Sequence, residues 1–95
     1  MNITKKILLR HNLQKTVKQG LDWIEYECEA NLKEQPHIYY RIRIINCSNT
    51  VGRDWFVHVD NDVCMTCGSL DVQTIEQFNT FMNLLDINFQ LEEYE

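Results

Sequence analysis

The chain is 95 residues long, which is too short for more than one hydrophobic core, so residues 1–95 are expected to form a single compact domain. Its composition, 44% hydrophobic and 24% charged with 3 Gly and 1 Pro, excludes a disordered, collagenous or low-complexity chain. A formal net charge of −5 argues against direct binding of nucleic acid, and no apolar run approaches the ~20 residues that span a bilayer.

Residues 4–18 lack Gly and Pro, and Ile3, Ile7, Leu9, Leu13 and Val17 fall near one side at helical spacing. The pattern predicts a helix, basic on its exposed side, with Gly20 at its C-terminal cap. Ile7-Leu8-Leu9 is too short for the core of a signal peptide, so a soluble, cytoplasmic protein is expected.

Residues 22–30 alternate, with Ile24, Tyr26 and Cys28 on one side and Trp23, Glu25, Glu27 and Glu29 on the other. That is the period of a half-buried strand. Lys33-Glu34-Gln35-Pro36 makes a polar connection. Residues 37–46 alternate again, Ile38, Tyr40, Ile42 and Ile44 against Tyr39, Arg41, Arg43 and Ile45, and are rich in β-branched and aromatic side chains. After a turn-rich stretch from Asn46 to Gly52, Trp55, Val57 and Val59 alternate with Phe56, His58 and Asp60, giving a third strand. Asn61-Asp62 is a turn pair, and Val63 to Cys67 is expected as a short fourth strand. Consecutive strands joined this closely favour an antiparallel meander over parallel crossovers.

A helix is predicted over 71–85, capped by Ser69 or Asp71, with Val72, Ile75, Phe78, Met82 and Leu85 as its apolar stripe. Ile87, Phe89 and Leu91 then alternate with polar residues, as an edge strand or a docked tail, and the end from Glu92 is expected to fray. The fold class is thus α+β: a three- to five-stranded antiparallel meander with an N-terminal helix and a C-terminal amphipathic helix packed on the sheet. Phe78 and its stripe are expected to meet Ile38, Tyr40, Ile42, Ile44 and Trp55.

Catalytic patterns are absent, and no enzyme activity is expected. His11, His37 and His58 stand apart from any nucleophile pattern, and Asp60-Asn61-Asp62 lacks the Gly and the bidentate Glu of a calcium loop. Cys64-Met65-Thr66-Cys67-Gly68 looks like one zinc knuckle without its second pair. If residues 64–67 are extended, their Cα atoms stand about 10 Å apart, beyond the roughly 7 Å of a disulfide. No bound metal, cofactor or disulfide is expected, a small zinc-binding domain using Cys64 and Cys67 being the alternative.

The charge layout is the functional lead. Residues 1–20 hold Lys5, Lys6, Arg10, Lys15 and Lys18 with no acid, whereas residues 54–95 hold no Lys or Arg. The glutamates of the first strand are expected to pair with Arg41 and Arg43 across the sheet. That leaves Asp54, Asp60, Asp62, Glu92, Glu93 and Glu95 as candidates for an interface, with Trp23, Tyr39 and Phe56 as apolar contacts. A field of this sign suits a basic protein partner, with no direct contact to nucleic acid or membrane.

In layout the chain resembles the small phage-encoded anti-CRISPR proteins: a short N-terminal helix after Met1-Asn2-Ile3, a meander, an amphipathic helix, and a lysine-free acidic half over 54–95. The resemblance implies an inhibitor that occludes the basic nucleic-acid-binding surface of a CRISPR effector nuclease in the host cytoplasm, its carboxylates standing in for DNA phosphates. The basic N-terminal helix departs from that pattern and leaves room for a two-sided contact. An immunity or antitoxin-like protein that neutralises a basic nuclease toxin would use the same acidic logic.

Overall fold

The computed structural model describes residues 1–18, 23–47, 55–61 and 68–93. In chain order they form α1 (Lys5–Arg10), β1 (Gln14–Lys18), β2 (Trp23–Asn31), β3 (Tyr39–Cys47), β4 (Trp55–Asp60), β5 (Gly68–Val72) and α2 (Ile75–Leu84). The five strands make one antiparallel sheet in the order β1-β2-β3-β4-β5, so the architecture is α+β with a meander.

The first helix is much shorter than the pattern over 4–18 predicts. Thr4 caps it by accepting from the Ile7 amide at 3.2 Å. It stops at Arg10, and Asn12 follows in the left-handed region at φ 59°, which turns the chain out of the helix. Gln14–Lys18 then pairs with β2, Thr16 opposite Glu25 and Val17 opposite Ile24. The helical stripe was only partly real: Ile3, Ile7 and Leu13 are buried, but Leu9 is 50% and Val17 61% exposed, and Leu8 takes the inward position. A helix this short is marginal by itself, so strand pairing outweighs local propensity from Gln14 onward. Gly20, expected as its cap, lies outside the described residues.

The strands β2, β3 and β4 follow the alternation closely. Tyr26 faces Ile44, Cys28 faces Ile42, Ile42 faces Val59 and Ile44 faces Val57. Apart from Cys28, which packs partly buried against it, these side chains belong to one buried cluster that also holds Ile7 and Leu8 of α1 and Ile75, Phe78, Phe81 and Met82 of α2. Tyr26 meets the Trp55 ring edge-on at 5.9 Å, and Trp55 Nε1 donates to the Ile3 carbonyl.

At the C-terminal end the boundaries shift. The fourth strand expected over 63–67 lies outside the described residues, and Gly68–Val72 is a strand where a connection and a helix start were expected. Val72 therefore joins the core from the sheet. Gly68 suits its place because a Cβ there would stand 3.1 Å from Phe81 Cζ. The helix begins later, on a capping box: Thr74 Oγ1 accepts from the Gln77 amide at 3.1 Å, and Gln77 Oε1 accepts from the Thr74 amide at 3.1 Å. This replaces the expected caps Ser69 and Asp71. Asp86, at φ 59°, turns the chain after α2. The tail then docks: the Asn88 amide donates to the Asn31 carbonyl, the Lys33 amide donates to the Asp86 carbonyl, and Asn79 holds both backbone groups of Leu91. Ile87 and Leu91 are buried, so the end is anchored through Leu91.

Candidate protein-interaction face

The alternate residues of the strands build the sheet's second face. Register sets Glu27, Arg43, His58 and Ser69 in one row across the strands, and Glu29, Arg41 and Asp60 in the next. Thr16, Glu25, Ile45, Phe56 and Asp71 make a third. The alternate, inward residues of β2, β3 and β4 belong to one buried cluster with side chains of α1 and α2. Carboxylates outnumber guanidiniums here, and Tyr39 and Phe56 stand exposed among them.

Asp60 organises the charges. Arg43 Nη2 lies 2.7 Å from Asp60 Oδ2, Arg41 Nε lies 3.0 Å from Oδ1, and His58 Nε2 lies 3.2 Å from Oδ2. Both arginine contacts are charge-assisted hydrogen bonds. Burial alone raises the Asp60 pKa, but the hydrogen bonds from Arg43 and Arg41 outweigh it and hold the carboxyl below the usual carboxylate range. With 3% of its surface exposed, Asp60 is a buried, neutralised group. This corrects its reading as an interface carboxylate: a strand-end acid opposite two guanidiniums gains more from them than from water.

The same geometry revises the pairing expected for the glutamate row. Glu27 and Glu29 lie opposite Arg43 and Arg41 in register, yet the short arginine contacts go to Asp60, and Glu27 reaches Arg41 at 3.7 Å. Glu29 and Asp71 are exposed and Glu25 is buried. A shallow cleft of about 160 Å³ lies beside this network, lined by Glu29, Tyr39, Tyr40, Arg41, Asp60 and Asn61.

The expected site residues divide. Tyr39, Phe56 and Asp60 come together on this face, and Trp23 opens β2 at the position paired with Lys18 and Cys47. Glu92 and Glu93 lie elsewhere, with the helices: the Glu92 amide donates to His11 Nε2 at 3.0 Å, and the Glu93 carboxylate comes within 3.7 Å of the Met1 amino group. Asp54, Asp62 and Glu95 lie outside the described residues, as do Cys64 and Cys67. Residues 58 and 60 share a face by alternation alone, so the His58–Asp60 pair is readable from the sequence, whereas sequence reasoning missed Arg41 and Arg43 as partners of Asp60. Their spacing two apart on adjacent strands was the available signal, but the register that joins them is tertiary.

Chemistry of other kinds finds little footing among the described residues. No group of three or more His, Cys, Asp and Glu there could hold a metal ion. Burial, followed by the charges of Glu27 and Glu29, pushes the Cys28 thiol up to about 12, so it is protonated at neutral pH and a poor nucleophile. No described helix is long and apolar enough to cross a membrane. Comparison of the chain with models of known protein families, with curated proteins and with solved structures finds no match.

Proposed function

We propose that the protein is a non-enzymatic inhibitor that, in the host cytoplasm, binds a basic nucleic-acid-binding protein such as a CRISPR effector nuclease and occludes its nucleic-acid-binding surface. The observation that carries this reading is the charged sheet face, where Glu29 and Asp71 stand exposed beside Glu27 while the short contacts of Arg41 and Arg43 are turned to the buried Asp60. In this reading α2 packs on the opposite face and leaves this one to the partner. The exposed Glu29 and Asp71 meet the partner's cations, Tyr39 and Phe56 supply apolar contact, and Asp60 keeps the arginines drawn in toward the sheet. Asp54 and Asp62 flank β4 in the sequence and add two further carboxylates to this stretch of the chain.

Electrostatic steering makes such binding fast and salt-sensitive, with rim carboxylates acting on the association rate. The test is a gel-shift competition in which a purified effector nuclease, its guide and labelled target DNA are titrated with the protein at several salt concentrations. The expected result is displacement of DNA that weakens as salt rises, and that weakens again in Glu29→Gln/Asp71→Asn. DNA binding that is unchanged at every protein concentration overturns the proposal. Displacement indifferent to salt and to both substitutions overturns its electrostatic basis.

A further inference from the structure

We infer that a second copy of this chain docks on the outer edge of β5, pairing the two β5 strands antiparallel about Leu70. This goes beyond the charged face and does not rest on it. The direction of each backbone group follows from register. The Leu32 amide donates to the Ile38 carbonyl at 3.0 Å, which makes even positions of β2 face β3. Carried through the pairings Ile42↔Val59 and Val57↔Leu70, the alternation turns Gly68, Leu70 and Val72 toward β4 and turns Ser69 and Asp71 outward. The N-terminal segment agrees independently: the Ile3 amide donates to the Gln73 carbonyl and the Ile75 amide to the Met1 carbonyl, both on that outer edge. The segment covers positions 73–75 and stops short of Ser69 and Asp71, whose outward groups meet no partner among the described residues.

The two edges of the sheet differ in how they resist association. β1 carries Lys15, a common protection of an open edge, whereas β5 has no Lys, Arg or Pro. Beside β5 runs an apolar depression of about 310 Å³ lined by Leu70, Phe81 and Leu84, with Glu76, Gln77 and Thr80 at its border. Leu70 is 44% and Leu84 79% exposed.

Self-pairing about Leu70 satisfies both features. Ser69 of each copy stands opposite Asp71 of the other, and the pair exchanges N–H to carbonyl hydrogen bonds. Leu70 meets Leu70 of the second copy at the close, non-hydrogen-bonded spacing of an antiparallel pair, about 4.5 Å between Cα atoms. Charge fits as well, since each Asp71 faces an uncharged Ser69 and no carboxylate lies directly opposite another. The two-fold axis runs along the sheet normal, the usual symmetry of a dimer, and keeps the helices of both copies on one side.

Sedimentation equilibrium and amide hydrogen exchange, both followed with concentration, test this. A reversible dimer is expected in which the Ser69 and Asp71 amides gain protection as the dimer forms, while Leu70 and Val72 are protected throughout. Leu70→Lys, which sets like charges opposite each other, is expected to weaken the dimer more than about tenfold. Leu84→Lys on the exposed side of α2 serves as a second variant that leaves the sheet untouched, and is expected to weaken the dimer too. A chain that stays monomeric up to about 1 mM overturns the inference. So does a dimer in which the Ser69 and Asp71 amides still exchange freely, or one that survives both substitutions.

Discussion

On β3, Ile42 and Ile44 are fully buried, while Arg41 and Arg43, one residue away, stand on the opposite face and reach for Asp60. The two faces of this sheet share their backbone and differ in what holds them. The apolar face gains from burial, which has no direction and scales with area removed from water. The charged face gains from contacts with direction, where one misplaced partner leaves an ion uncompensated. The first tolerates substitution by size and hydrophobicity; the second depends on which atom meets which.

Substitutions on each side sharpen this contrast. The largest effect is expected for Phe78→Ala, which empties a fully buried position of the cluster and is expected to cost about 3–5 kcal/mol by urea denaturation. Unchanged stability would place Phe78 outside the core. Asp60→Asn is expected to cost about 1–3 kcal/mol, because Arg43 and Arg41 then lose their short contacts to a carboxylate while Arg41 keeps its longer one to Glu27 and both keep some contact with water.

The same group sets a pH dependence. The Asp60 pKa is lower in the folded protein than in the unfolded chain, where it is about 3.9. Its contribution is therefore complete above that value and is lost as pH falls through the folded value. Urea midpoints measured through the acid range are expected to fall less steeply in Asp60→Asn than in the parent. Equal slopes would remove Asp60 from the account.

Smaller effects follow at the edges of the comparison. Thr74→Ala removes the acceptor for the Gln77 amide and is expected to cost about 1 kcal/mol in thermal or urea unfolding. Glu29→Gln, exposed on the charged face, is expected to change stability by less than about 0.5 kcal/mol while weakening association with a basic partner. A loss of stability comparable with that of Asp60→Asn would show that Glu29 belongs to the internal network instead.

Some of this was legible in the sequence because it depends on local periodicity alone. The alternation in β2, β3 and β4 names which residues face inward, and short connections name the meander, since burial of one face allows only one phase of a two-residue period. The apolar stripe of α2 was legible for the same reason at helical spacing, and Thr74-x-x-Gln77 held the cap that earlier Ser and Asp residues obscured.

Other features were decided only by the tertiary structure. Gln14–Lys18 and Gly68–Val72 are too short and too polar to declare a period, and they become strands because β2 and β4 offer them hydrogen-bonding edges. The role of Asp60 is of the same kind. Its sequence neighbours give no sign that two arginines about seventeen and nineteen residues away will share its carboxylate. Such contacts depend on strand register, which sums many weak pairings across the chain, whereas amphipathic phase is written in a few neighbouring residues.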